Sequence, residues 1–235
     1  MYTQDNLKIN SAVIRVIGVG GGGCNAINSM ISSNVKSAEF IAVNTDNQAL
    51  LMSKAEKCIQ IGEKLTKGLG AGSNPSIGEA AAEETKDQIQ EVLGGTDLLF
   101  IACGMGGGTG TGASSVIARI AHEMGILTVA VVTKPFSFEG RIRNENANKG
   151  IANLRKYVDT LVIIPNDKLL QFLPAHIGVL DAFKVADDML KQGIIGIVEL
   201  IATPSLINLD FADVSTVMRN KVLAHMGVGK ANGEN

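Results

Sequence analysis

Residues 104–112 read GMGGGTGTG, six glycines and two threonines in nine positions, directly after the apolar run from Asp97 to Cys103. Glycine lets a backbone turn at positive φ and lets its N–H groups approach a ligand with no Cβ in the way. The residues that follow, Ala113 to Met124, have helical character, so the segment feeds a helix N-terminus. Free amide donors and the positive end of a helix dipole meet there, which suits phosphate. A chain carrying this segment is constrained to a strand–loop–helix unit built round an anion, and the expected ligand is a nucleotide.

Strand and helix patterns alternate through the rest of the chain. Strands are predicted at Ala12 to Gly18, Glu39 to Val43, Cys58 to Ile61, Asp97 to Cys103, Ile126 to Thr133 and Thr160 to Ile164. Helices are predicted at Asn25 to Ser33, Pro75 to Leu93, Arg141 to Tyr157, Asp167 to Phe172, Val179 to Ile201 and Ala212 to His225. Gly62 to Asn74 and Thr203 to Phe211 read as loops, and Pro75 suits a first helical turn. In the long helix, Leu180, Phe183, Ala186, Leu190, Ile194, Ile197 and Ile201 recur at three- and four-residue spacing. Apolar strands alternating with helices predict an α/β fold, a Rossmann-like parallel sheet with helices on both faces and a long central helix. Ligands bind such sheets at the carboxyl ends of strands, where both glycine segments fall.

Composition narrows the class. The 235 residues are 46% hydrophobic and 19% charged, with a formal net charge of −2. No basic stripe appears, aromatics make up 4% and tryptophan is absent, so nucleic-acid partners are not expected. Cys24, Cys58 and Cys103 fit no metal or disulfide spacing and suit a reducing cytosol as small core or loop residues. No apolar run reaches the roughly 20 residues of a membrane span, and Gly193 to Ala202 reads as a buried helix. His122, His176 and His225 stand apart, and none looks catalytic.

A second glycine segment, Gly18 to Gly23 (GVGGGG), matches G-x-G-x-x-G after the first strand. Alone it is a weak dinucleotide signal, and a tight turn without ligand is the plain alternative. A dinucleotide site would also want an acidic residue after the second strand, where Asn44-Thr45-Asp46 stands. Two glycine segments together suggest a ligand with several phosphates cradled from two sides. The P-loop string G-x-x-x-x-G-K-[ST] and the Asn-Lys-x-Asp base-reading string are both absent. Charge neutralisation is therefore expected from backbone N–H groups, the Thr109 and Thr111 hydroxyls, helix dipoles and Mg²⁺.

These residues resemble a known family. GMGGGTGTG is similar to the tubulin signature loop, and TKPFSFEGR with NLDFADV is similar to the FtsZ branch of that family. VIGVGGGGCNAI, FIAVNTDNQAL, IQIGEKLTKGLGAG, ILTVAVVTKPFSFEGR, IPNDKLL and INLDFADV extend the likeness over essentially the whole chain. The resemblance implies a GTP-binding, GTP-hydrolysing, self-assembling protein of bacterial cell division, cytoplasmic and placed at midcell. It implies GTP or GDP as ligand, with Mg²⁺ held mainly by phosphates and water. Gly21, Gly22 and Asn25 would belong to the first nucleotide loop, and Gly104, Gly106, Gly107, Gly108, Thr109 and Gly110 would wrap the phosphates. Glu139 and Arg143 would contact ribose and phosphate, Asn166 and Asp187 would read guanine, and Phe183 would pack on the base. From the sequence alone, Asp187 and Asp188 also read as a solvated helix face and Phe183 as core.

Asn208, Asp210 and Asp213 fall in NLDFAD at the start of the last helix. The two carboxylates suit helix capping. The resemblance makes them groups that activate water beside a γ-phosphate, supplied by one subunit to the nucleotide of the next. It also implies head-to-tail protofilaments, adaptor binding through a tail beyond a second domain, and no direct membrane insertion. The expected division is a flexible segment at 1–11, a GTP-binding domain at 12–202, a catalytic loop and helix at 203–225, and at 226–235 the start of a second domain that the chain lacks. Ser114-Ser115 stands where the family usually has Ala-Pro, Cys24 where it has glycine or asparagine, and Asn144 to Asn148 is unusually polar. Two other readings compete: a GTP/GDP-binding module with little turnover, and an NAD(P)-linked oxidoreductase built on Gly18 to Gly23. The second leaves Gly104 to Gly112 without a role.

Overall fold

The computed structural model describes residues 12–35, 37–173, 176–202, 211–219 and 221–224. Strand β1 (Ile14–Val19) runs into α1 (Gly20–Ser32), and β2 (Glu39–Asn44) into the short α2 (Asn47–Leu51). The edge strand β3 (Lys57–Gln60) is followed by α3 (Glu63–Thr66), α4 (Pro75–Glu84) and α5 (Lys86–Leu93). Strand β4 (Leu98–Gly104) leads through the second glycine segment into α6 (Thr109–Glu123). Next come β5 (Leu127–Lys134), α7 (Arg141–Leu154), β6 (Thr160–Pro165) and α8 (Asn166–Leu170). The long α9 (Val179–Ala202), α10 (Phe211–Met218) and β7 (Lys221–Ala224) complete the described chain.

Among the described residues the strands form one parallel sheet in the order β3-β2-β1-β4-β5-β6-β7. Successive strand side chains point to opposite faces, and here both faces are apolar and covered. Ile17, Val43, Ile101, Val132 and Leu161 pack against Ala81, Ile89, Leu93, Ile117, Ile120 and Leu154 of α4 to α7. Val16, Phe40, Phe100, Val129 and Val131 pack on the other face against Ile27 and Met30 of α1 and Leu190, Ile194 and Val198 of α9. The chain winds outward from β1 to β3, returns to β4, and winds outward again on the other side. The reversal lies between β1 and β4, and a crevice opens there at the carboxyl edge.

The predicted fold class is the observed one, with local differences. The predicted helix from Pro75 to Leu93 is two helices, broken at Thr85. The Thr85 hydroxyl donates to the Ala81 carbonyl and accepts from the Gly62 N–H, which turns the chain. The helix expected from Asn25 begins at Gly20, so the first glycine run forms a helical turn and not a free loop. The predicted loop from Gly62 to Asn74 contains α3. The last helix stops at Met218, whose carbonyl accepts from the Thr160 hydroxyl, and residues 221–224 join the sheet edge beside β6. Leu180, expected on the buried stripe of α9, is 77% exposed, whereas Leu190, Ile194 and Ile197 are buried. Thr203 to Asp210, His225 and the segments 1–11 and 226–235 lie outside the described residues. No described helix is long and apolar enough to cross a membrane.

Helices α4 and α6 meet backbone to backbone. A Cβ on Gly112 would overlap the Pro75 carbonyl oxygen and stand 2.5 Å from the Glu79 nitrogen; one on Gly78 would overlap the Gly108 carbonyl oxygen. Neither partner is a side chain that can swing aside, so Gly112→Ala should push the helices apart. Overpacking of this kind costs about 1–3 kcal/mol, to be read as a lower midpoint in urea unfolding.

Candidate nucleotide-binding site

At the crevice, α1 and α6 present their N-termini side by side. Gly20 takes φ +71°, and a Cβ there would stand 2.8 Å from the Gly110 nitrogen, so the two turns touch only because side chains are missing. Both termini carry unused backbone donors and positive dipole ends. The cavity between them measures ≈ 400 Å³ and is lined by Gly21, Gly22 and Asn25 on one side. Gly104, Gly107, Gly108, Thr109 and Gly110 form the other side. Arg143 is the single cation on this wall among the described residues. Its guanidinium donates to Glu139 Oε2 at 2.6 Å, while Glu139 Oε1 accepts from the Phe136 N–H at 2.9 Å. The capped start of the turn Ser137–Glu139 thus holds the pair at the cavity rim.

The far end is built by α8 and α9. Asn166, the first residue of α8, is buried, and its Oδ1 has no hydrogen-bond partner among the described residues. Asp187 on α9 lies half-buried on the same wall. Burial, with the Asp188 charge adding to it, pushes the Asp187 carboxyl up to about 7. Phe183, one turn earlier, stands edge-on to Phe136 at 5.5 Å and to Phe138 at 6.2 Å between ring centroids. Phe136 and Phe138 stack at 4.9 Å. Phe183 stays 36% exposed and lines the cavity, so it packs on the aromatic cluster and also offers surface to a ligand.

The structure brings all the expected binding residues to this cavity except Gly106. Gly106 takes φ +110° and packs behind the wall, where a Cβ would stand 2.8 Å from the Arg143 carbonyl oxygen. Its N–H donates to Thr111 Oγ1 at 2.8 Å. Thr111 is consequently buried and off the cavity wall, contrary to the expectation for the two threonines; Thr109 lines the cavity. Asp213 lies exposed on α10, away from the cavity, and Asn208 and Asp210 fall outside the described residues. Asp46 caps α2, its Oδ1 accepting from the Gln48 and Ala49 N–H groups, so it is not held out for a ribose. Burial pushes the Cys24 and Cys103 thiols up to about 12, which suits packing and not nucleophilic chemistry. Cys58 is exposed. Val19, Met105, Thr133, Pro135 and Ala186 also line the cavity without having been singled out. Of these, Thr133 was accessible to reasoning, because it ends a parallel strand at the ligand-binding edge.

Comparison with known proteins places this geometry. Residues 13–174 match the Tubulin/FtsZ family, GTPase domain. A dimeric, empty FtsZ from M. jannaschii superposes with a TM-score of 0.90 at 48% identity, over 93% of this chain and 64% of that one. A mutant FtsZ from the same organism gives 0.88 at 49% identity, over 91% and 64%. The chain thus spans about two-thirds of the length of these relatives, a shade under. CetZ2 from Haloferax volcanii, a GTPγS-bound protofilament, shares the fold at a TM-score of 0.77 and 20% identity, over 88% and 63%. With two glycine-built helix termini at the sheet reversal and a family match over most of its length, this chain belongs to the Tubulin/FtsZ family and carries its GTPase domain.

Proposed function

We propose that the chain binds GTP and GDP in this cavity and hydrolyses GTP when a second copy completes the site, as a self-assembling subunit of bacterial cell division acting in the cytoplasm at midcell. The observation that carries the nucleotide reading is the two-ended cavity. Paired helix N-termini and the Thr109 hydroxyl stand at one end, and Asn166 and Asp187 at the other, beside Phe183. Phosphates would lie against the backbone donors of α1 and α6, with Arg143 and Glu139 at the phosphate and ribose. A carboxylate at Asp187 would accept from guanine N1–H and N2–H₂, which adenine does not offer, and the Asn166 amide would meet the base edge. A wall with one cation suits a triphosphate that brings Mg²⁺ as counter-charge, held by phosphate oxygens and water.

Hydrolysis in trans is supported by the position of Asp213 off the cavity wall and by the dimeric relative. In this reading Asn208, Asp210 and Asp213 orient the attacking water at the γ-phosphate of the neighbouring copy. Residues 12–202, with the edge strand Lys221–Ala224, then form the nucleotide domain, and the segment from Asn208 to Met218 is the part presented to the next subunit. The same position of Asp213 favours a second reading, a nucleotide-binding module with little turnover of its own. GTP hydrolysis measured across protein concentrations separates the two. Specific activity rising above a threshold supports completion in trans; a flat, near-zero rate with stoichiometric guanine nucleotide bound supports the module.

Where turnover rises with concentration, Asp213→Ala should lower it about a hundredfold and leave GDP affinity within about twofold. Loss of nucleotide binding in that variant would contradict the assignment. Beyond its two chain neighbours, no atom of the described residues lies within 4 Å of where a Cβ on Gly107 would stand. Gly107→Val should therefore fold and weaken GDP binding roughly tenfold or more by filling phosphate space; titration calorimetry with unchanged affinity would exclude the phosphate-loop role.

Asp187 gives a signed pH dependence. Its proton is held more tightly in the empty folded site than in the unfolded chain, from an ordinary value of 3.8 up to about 7. The stability this contributes is fully present below pH 3.8 and is lost as pH rises through about 7. Guanine donors require the carboxylate, so affinity should fall about tenfold per pH unit well below the raised pKa. Asp187→Asn should raise the ligand-free melting temperature at pH 8, remove that pH dependence and weaken guanine nucleotide binding.

A further inference from the structure

Asn44-Thr45-Asp46 ends β2 beside the signature segment and takes no part in the assignments above. Asn44 Oδ1 accepts from the Asp46 N–H and Asp46 caps α2, so both flanking side chains are committed locally. Thr45 is different. It is fully buried, and its Oγ1 lies 2.6 Å from the Oγ1 of Thr109, a residue of the cavity wall. No other hydrogen bond is made by the Thr45 hydroxyl among the described residues. Its backbone is held from another direction, the Thr45 carbonyl accepting from the Gly70 N–H at 3.3 Å. A β-branched side chain on a fixed backbone has little rotamer freedom, so the direction of the hydroxyl is set.

Two hydroxyls in contact share one hydrogen bond, and burial decides which one donates. If Thr109 donated, the Thr45 proton would be enclosed without an acceptor, at about 1–3 kcal/mol. If Thr45 donates, its proton is satisfied and the Thr109 proton is free to point into the cavity, where an anion would accept it. Donation into Thr109 Oγ1 also polarises the outgoing O–H, which strengthens the second bond.

We infer that Thr45 is a positioning residue for phosphate binding: its buried hydroxyl donates to Thr109 and thereby aims the Thr109 proton at a phosphate oxygen. The inference rests on the nucleotide reading of the cavity. It assigns Thr45 no contact with the ligand, and its effect passes wholly through Thr109.

The test is a mutant cycle in titration calorimetry with GDP, alongside guanosine by ligand-observed NMR. Thr45→Val, close in shape, should weaken GDP about threefold to tenfold and leave guanosine unchanged. Thr45→Ser should restore most of the GDP affinity. In a Thr109→Val background the Thr45→Val change should cost nothing further. Thr45→Ala removes the same hydroxyl without the added methyl and carries the same expectations. Equal losses for GDP and guanosine, failure of serine to restore binding, or a Thr45→Val cost that persists without the Thr109 hydroxyl would each overturn the inference while leaving the nucleotide reading intact. A parent protein that binds no GDP would overturn both.

Discussion

Contact between bare backbones governs the carboxyl edge of this sheet. The start of α1 meets Gly110 at the start of α6, and the flank of α6 meets α4, at separations that any Cβ would occupy. The first contact brings two sets of free N–H groups to one cavity. The second fixes the angle at which α6 leaves the sheet, because its partner atoms are carbonyls and amides that cannot move aside. The cost is entropic, since a run of glycines loses much freedom on folding. The two buried clusters on the faces of the sheet supply the opposing stabilisation.

The cavity carries little positive charge and holds a buried carboxyl. The glycine-built end offers neutral donors and dipoles, and Arg143, the single cation on the wall among the described residues, is paired with Glu139. The far end holds the Asp187 carboxyl, whose burial makes ionisation unfavourable. A ligand that brings donors to Asp187 and acceptors to the helix termini relieves both ends at once. A group that lowers stability when the site is empty and is compensated by ligand is a common property of binding sites. Here it has a named atom and a stated cause.

The order of strands and helices was legible because each strand is a short apolar run and each connection carries turn or cap chemistry. Pro75 reads as a first helical turn, and the structure has it at that position, with Asn74 Oδ1 accepting from the Ser76 N–H as the cap. The break at Thr85 was not legible, because it depends on the Gly62 N–H arriving from a distant loop. The extent of the last helix was misread for a similar reason. Lys221 to Ala224 pairs with β6, and pairing across some sixty residues leaves no local signal. The exposure of Leu180 shows the same limit, since an apolar stripe marks a face but not how far along the helix the neighbour reaches.

The amino-acid sequence by itself determined the fold class and the two glycine segments at strand ends, each opening a helix, because these follow from local backbone freedom and hydrophobic period. Only the tertiary structure decided which members of those segments line the cavity. Gly106 and Thr111 spend their polar groups on each other, and Thr109 reaches the cavity with Thr45 behind it. It also decided that Asp187, outwardly one acid of a polar pair on a helix, lies where burial holds its proton to near neutral pH. Side-chain partners and desolvation depend on what the rest of the chain places nearby, and neither is encoded within the few residues that make up a motif.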